Sequence, residues 1–320
     1  SMTKSVTKTL TFSSGDVGEH HYRQWRPAKP IGWLHIMHGM AEHSARYADL
    51  AGFLNKRGVM VTAGDHRGHG LTGSSANSLY HFADNNGWTQ MLDDQWQLIT
   101  HIAKRQKMPL IILGHSMGSF MANHFCQRYG KQLNMQTDGQ LCGLILSASN
   151  YDSVAAFKVA AAIARVERHR LGPRNMSPIL EQLSFGTFNR AFKPNRTTKD
   201  WLSSDPSVVD TYIADPWCGG PISTQSWYDF LTGLAELTCP KALSQLDSTL
   251  PIYLFSGDLD PVGKQGKGVI RLKEKLLQAG SKQVDLKLYK GGRHEMLNET
   301  NHAEVYQDID TWLQTYYSRD

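Results

Sequence analysis

Cysteine is scarce and scattered: Cys126, Cys142, Cys218 and Cys239 are the four in a chain of 320 residues, and no C-x-x-C pair occurs. That spacing supplies neither a zinc knuckle nor a dithiol redox motif, and it reads most simply as reduced thiols of a cytosolic protein. Long apolar runs are also missing. The longest, Val154 to Val166, is broken by Lys158 and Arg165 and falls short of the roughly 20 residues a membrane-spanning helix needs. No basic segment followed by an apolar one opens the chain, so no secretion signal is read, and Ser1-Met2 has the look of a tag-cleavage scar before a native start. The N-x-S/T triplets at Asn175, Asn195 and Asn298 would matter only in a secreted protein and carry no weight. Charge of one sign is in small surplus. The 34 basic and 29 acidic residues leave +5, too little over this length to imply nucleic-acid binding without a clustered basic patch. Internal repeats and low-complexity tracts are absent. What remains is an ordinary globular composition, 40% hydrophobic and 20% charged, long enough for about two domains or for one large core with an insertion.

Apolar runs of strand length alternate with longer helical patterns, the signature of β-α units around a largely parallel sheet. The strands are expected at Gly32–His38, Val59–Ala63, Pro109–Leu113, Gly143–Ser147, Pro251–Phe255 and Val284–Tyr289. Apolar faces at helical spacing predict helices over Ala45–Lys56, Trp88–Lys104, Ser119–Tyr129, Val269–Ala279 and Val305–Tyr317. Between about Tyr151 and Gln245 the rhythm breaks into helical or irregular segments rich in Phe, Trp and Pro. The chain therefore divides into a first core part over 1–150, an inserted, mainly helical segment over 151–245, and a second core part over 246–320. The insertion is electrically lopsided. Lys158–Lys199 holds nine basic and two acidic residues, whereas Asp200–Glu236 holds six acidic and no basic ones. The plain reading is that the halves pair or face solvent; the sharper one is that the basic half meets anionic lipid headgroups.

Gly114-His115-Ser116-Met117-Gly118 is a G-x-S-x-G element placed between the strongest strand and a helix, the context in which this short motif carries meaning. A nucleophile on so sharp a turn needs small neighbours, and the helix N-terminus behind it supplies N–H groups where negative charge develops. A serine hydroxyl is a weak nucleophile at neutral pH and needs a histidine base, itself oriented by a carboxylate. In α/β-hydrolases these follow in the order Ser, acid, His, each in a loop after a later strand. Asp258 and Asp260 compete for the acid role after Pro251–Phe255; Asp260 is preferred, with Asp258 read as a turn residue. His294 follows the last strand. His294-Glu295-Met296-Leu297-Asn298 starts like the zinc-protease H-E-x-x-H but ends in Asn, so that metal reading fails and no metal site is assigned. The oxyanion needs two backbone donors, and the N–H groups of Met117 and of Met40, in the His38-Gly39-Met40 loop, are the natural pair. Gly68-His69-Gly70-Leu71-Thr72-Gly73 matches the dinucleotide fingerprint G-x-G-x-x-G. Asp65-His66-Arg67 separates it from its strand, however, and Ser74–Ser78 makes a poor helix.

Together these residues resemble the monoacylglycerol lipase and lysophospholipase group of serine α/β-hydrolases. The resemblance rests on His38-Gly39-Met40-Ala41-Glu42-His43-Ser44-Ala45-Arg46-Tyr47, similar to the group's H-G-x-x-E-H-S-x-R-Y. It extends to Asp65-His66-Arg67-Gly68-His69-Gly70, Gly114–Gly118, Asp258–Val262 and the His294 loop, and thus spans the chain apart from the insertion. One departure is Thr72, where the D-x-R-G-H-G loop of the group usually continues with Ser. The resemblance implies an α/β-hydrolase fold, with a mostly parallel central sheet flanked by helices and the insertion forming a cap. It further implies that apolar cap side chains hold an acyl chain above the serine, with Phe185, Phe188, Phe192, Trp201, Tyr212, Trp217, Trp227 and Phe230 as the candidate lining. The activity it implies is hydrolysis of a small acyl ester or single-chain lipid, monoacylglycerol or lysophospholipid, through an acyl-enzyme on Ser116, with no metal or organic cofactor. The scattered thiols and missing signal lead to the expectation of a cytoplasmic protein, and the basic half of the insertion to that of a transient membrane-surface contact through the cap. A small-ester carboxylesterase, thioesterase, acyltransferase or peptidase would use the same triad, and a ligand receptor would keep the pocket without turnover.

Overall fold

The computed structural model describes residues 5–11 and 18–318; Ser1 and Met2 lie outside them. Eight strands form one sheet in the order β1-β2-β4-β3-β5-β6-β7-β8: β1 (Val6–Thr11), β2 (Glu19–Trp25), β3 (Gly32–Met37), β4 (Val59–Gly64), β5 (Leu110–His115), β6 (Leu141–Ser147), β7 (Ile252–Gly257) and β8 (Val284–Tyr289). All neighbouring pairs from β4 to β8 run parallel, and β2 joins β4 and β1 antiparallel. Around the sheet lie α1 (Ala48–Asn55), α2 (Gly70–Ser75), α3 (Gly87–Ala103), α4 (Met117–Thr137), α5 (Val154–Leu171), α6 (Pro178–Glu181), α7 (Thr187–Arg190), α8 (Pro206–Ala214), α9 (Thr224–Leu237), α10 (Pro240–Leu243), α11 (Lys267–Gln278) and α12 (His302–Tyr317).

Strand alternation divides the core into two layers. On β3, Leu34 and Ile36 pack with Leu50 and Leu54 of α1 and Ile309 and Leu313 of α12, whereas Trp33 and Met37 turn to the α3, α4 and α11 side. On β5, Ile111 and Leu113 take the first layer and Leu110 and Ile112 the second. Both faces of the central strands are covered, so they read in sequence as unbroken apolar runs. Each fully buried Leu or Ile contributes about 1.5–3 kcal/mol of transfer free energy. The last helix is fastened by a close approach. The Tyr317 ring lies where a side chain on Gly32 would stand, and its hydroxyl donates to the Trp33 carbonyl at 2.7 Å.

Two elements depart from the sequence reading. The β1–β2 edge was not anticipated: Glu19-His20-His21-Tyr22-Arg23-Gln24-Trp25 is polar, with His20 and Tyr22 buried two apart and Trp25 buried in the opposite core layer from Tyr22. Gly70–Ser75 forms a short helix that the sequence reading did not place and that stops within the poor-propensity stretch Ser74–Ser78; Asp65 Oδ2 accepts the Leu71 N–H at 2.9 Å and starts the turn. Between β6 and β7 the described residues carry helices and no strand. Ser153, Asp205 and Ser223 cap α5, α8 and α9 by accepting first-turn N–H groups. One ion pair among the described residues, Arg196–Asp210 at 2.9 Å, joins the basic and acidic halves of this segment. No described helix is long and apolar enough to cross a membrane, and none of the four cysteines forms a disulfide.

Candidate active site

Ser116 stands between β5 and α4 with φ 55° and ψ −119°, a left-handed conformation that costs a residue with a Cβ about 1–3 kcal/mol. The crossing is possible only because its neighbours are glycine. A Cβ on Gly114 would lie 2.0 Å from the Gly118 carbonyl oxygen, and one on Gly118 would lie 1.9 Å from that of Met37. The turn is pinned by the Ser116 N–H donating to the Ser147 carbonyl at 2.9 Å and by the Ser119 hydroxyl donating to the Ser116 carbonyl at 2.6 Å.

His294 follows β8 and faces the same chamber as Ser116. Its Nδ1 lies 3.0 Å from both carboxylate oxygens of Asp260, which is fully buried in the loop after β7 and also accepts the Val262 N–H at 3.0 Å. Asp258 instead accepts the Gly291 N–H at 2.8 Å, as a turn residue does. Burial pulls the His294 pKa down, but the charge and hydrogen bond of Asp260 outweigh it, and the value lies above the usual 6.5. His115, 5.1 Å away ring to ring, is pushed the other way by burial.

On the other side of Ser116, the Gly39-Met40-Ala41 loop bends through a positive φ of 57° at Ala41. Glu42 Oε2 holds it by accepting the Gly39 N–H at 2.8 Å and the Tyr47 hydroxyl at 2.9 Å. Among the described residues no hydrogen bond takes up the N–H of Met40 or Met117. Arg46 then ties this loop to the histidine loop. Its guanidinium bonds Glu42 at 2.9 Å and, through two parallel bonds of 2.8 Å, Glu295 next to His294. Burial raises the Glu295 carboxyl, but the Arg46 charge and hydrogen bonds hold it down to about 2. Sequence reasoning quoted Glu42, Arg46 and Glu295 without giving them a role; the i,i+4 spacing of Glu42 and Arg46 was the available signal. Arg46→Met strands two buried carboxylates and is expected to cost about 3–5 kcal/mol in urea unfolding, most of it recovered when Glu42→Gln and Glu295→Gln are added.

A cavity of about 370 Å³ opens on Ser116, and Phe185, Phe188, Trp201, Trp227 and Phe230 line it together with Met40, Met117 and Phe120. Trp201 lies 4.9 Å from the His294 ring, and its carbonyl accepts the His294 N–H at 3.2 Å, so the insertion helps place the histidine. Tyr212 borders the narrower chamber beside Ser116 and His294, donating its hydroxyl to the Ala41 carbonyl at 3.3 Å. Two aromatics expected in the lining are elsewhere. Trp217 stands edge-on to His43 at 5.9 Å, drawn there by the turn that holds its N–H on Asp215, and Phe192 lies under the Arg293 guanidinium at 4.3 Å.

The comparisons with known proteins agree with this architecture. Residues 28–301 match the family described as serine aminopeptidase, S33. A monoacylglycerol lipase of Mycolicibacterium smegmatis is 29% identical over 300 residues, covering 91% of each chain. A monoglyceride lipase homolog of monkeypox virus is 30% identical over 302 residues, covering 91% of this chain and 92% of the other. A thermostable carboxyl esterase from Bacillus coagulans, solved in complex with glycerol, superposes with a TM-score of 0.86 at 26% identity over 97% of this chain and 99% of its own. With its match over residues 28–301, its mostly parallel eight-stranded sheet and relatives that are lipases and esterases, the chain belongs to the serine aminopeptidase S33 family of α/β-hydrolases and is an enzyme of that hydrolase group.

Proposed function

We propose that this enzyme cleaves single-chain acyl esters, monoacylglycerol or lysophospholipid, through an acyl-enzyme on Ser116. The observation that carries the reading is the aromatic-lined cavity of about 370 Å³ that ends on the Ser116 side chain, within the roughly 300–1,000 Å³ of ligand sites. In this reading residues 151–245 are a cap, and the acyl chain lies among Phe185, Phe188, Trp227 and Phe230. Ser116 attacks the ester carbonyl while His294 takes its proton, and Asp260 keeps the imidazole in the right tautomer and stabilises the imidazolium. The N–H groups of Met40 and Met117 hold the tetrahedral oxyanion. His294 then protonates the leaving alcohol, and water repeats the sequence on the acyl-enzyme. The buried indole N–H of Trp201 has no hydrogen-bond partner among the described residues, and a hydroxyl of the alcohol half would supply one. Val159, Ile163 and Val166, exposed along one stripe of α5, support transient contact of the cap with a lipid surface.

The test pairs substrates with one acyl chain and different headgroups. Activity is expected on long-chain monoacylglycerol or lysophospholipid, and Phe185→Ala and Trp227→Ala should lower kcat/KM by about tenfold or more for long chains with little change for a butyrate ester. A headgroup preference set by the basic half of the cap would favour lysophospholipid at low salt and fade as salt is added. Equal rates on butyrate and long-chain esters in every variant would overturn the lipid reading in favour of a small-ester esterase.

A further inference from the structure

Where the insertion meets the loop after β3, three metal-ligating side chains converge outside the catalytic chamber. Asp215-Pro216-Trp217-Cys218 closes a turn, with the Cys218 N–H on the Asp215 carbonyl at 3.0 Å. Asp215 Oδ1 accepts the Trp217 N–H at 2.9 Å, which aims Oδ2 at His43 Nε2, 2.6 Å away. The ligand atoms of His43, Asp215 and Cys218 all lie within 4.8 Å of one another. The positions are fixed from outside the cluster. Trp217 braces the His43 ring edge-on, Asp65 Oδ1 holds the Ser44 N–H at 2.8 Å, and the Gly219 N–H donates to the Ala41 carbonyl at 2.9 Å.

We propose that His43 Nε2, an Asp215 carboxylate oxygen and Cys218 Sγ form a binding site for a borderline-soft divalent ion of the zinc type, clamping the insertion to the Gly39–Ser44 loop. The donor set decides the class of ion: one imidazole nitrogen, one thiolate and one carboxylate suit Zn²⁺, whereas Mg²⁺ and Ca²⁺ need more oxygen ligands. Charge also balances. The thiol gives up one proton to solvent, the neutral imidazole carries its proton on Nδ1, and the thiolate and carboxylate together cancel the charge of the ion, so no net charge is left in a largely buried place. Asp215 keeps 28% of its side chain exposed, which leaves a side open for a water as fourth ligand. In the other cluster of this kind among the described residues, Glu42, His115 and Glu295, both carboxylates are already engaged by the Arg46 guanidinium.

Cobalt(II) titration of the full chain provides the test, read by thiolate-to-metal charge-transfer absorption in the near ultraviolet, a readout that does not depend on the hydrolase reading. One equivalent is expected to bind with release of a proton into weak buffer, and added Zn²⁺ should displace the cobalt and raise Tm in step with its concentration. Cys218→Ser should abolish the band and His43→Gln weaken binding by more than about tenfold, while Cys142→Ser and Cys239→Ser leave it intact. Metal-free circular dichroism checks that each variant folds, and Asp215→Asn stands in should Cys218→Ser not fold. Absence of a band in the wild type, its survival in Cys218→Ser, or its loss in Cys142→Ser or Cys239→Ser would overturn the site.

Discussion

Treated with a fluorophosphonate, the wild-type chain is expected to gain the mass of a single adduct, Ser116→Ala to gain none, and His294→Ala to react slower by several orders of magnitude. Ester turnover should fall in parallel, by about 10⁴–10⁶ in kcat for either variant, because triad members act as a unit. The size of the effect follows from the chemistry. A serine hydroxyl has almost no alkoxide at neutral pH, so its reactivity depends on an acceptor that takes the proton as the bond forms. In the proposed mechanism His294 is that acceptor, held by the buried Asp260 at 3.0 Å, and its pKa is raised above 6.5. Its proton must be off for the first step, so kcat/KM should fall tenfold per pH unit below that raised value and level off above it. Asp260→Asn should lose about 10⁴ in kcat by favouring the wrong tautomer while leaving unfolding cooperative. An adduct of equal size and rate on Ser116→Ala would remove Ser116 from the mechanism.

The parts of this molecule that sequence made legible are those in which one local signal does the work. The central strands could be placed because burial on both faces makes them continuous apolar runs, and the sharp turn of the proposed nucleophile because Gly114 and Gly118 are demanded by contacts at 2.0 and 1.9 Å. The preference for Asp260 goes with the reading of Asp258 as a turn residue, and of the two Asp260 alone meets His294 while Asp258 bonds the Gly291 N–H. What was illegible depends on contacts between distant segments. β2 is polar in composition and becomes a strand by pairing with β4. Aromatic content could not separate Trp201, which lies against His294, from Trp217, which a turn directs to His43. Arg46 reaches Glu295, 249 positions away in the chain, a relation no spacing rule reports.

The second large effect is acid instability. Unfolding midpoints in urea are expected to be nearly constant above about pH 7 and to drop steeply as pH falls from about 6.5 towards 4. Beneath the Gly39 loop His38 and His66 form a reciprocal pair: the His38 ring nitrogen Nε2 accepts the His66 backbone N–H at 3.0 Å, and the His66 ring bonds the His38 carbonyl at 2.8 Å. His35 spans Thr62 at 2.7 Å and Gln95 at 2.8 Å, and His69 bonds the Arg67 carbonyl at 2.7 Å. Burial dominates in each, pushing His35 and His69 down to about 4, His20 and His124 to about 3, and His38 and His66 well below 6.5. The sign is fixed by linkage. Unfolded histidines take up protons below about 6.5 while these folded ones do not, so stability is complete above that value and is lost as pH falls towards the folded values. Each such group contributes about 1.4 kcal/mol per pH unit across its window, so the set outweighs the marginal stability of a typical domain within about two units. His294 acts the other way, its folded form holding a proton more tightly, but it is one group against several. His35→Gln, which keeps a donor for Gln95, should reduce the protons taken up on unfolding near pH 5 by about one. A midpoint that stays level between about pH 7 and 5 would mean that these histidines are charged in the folded protein, which His38 Nε2 cannot be while it accepts the His66 backbone N–H.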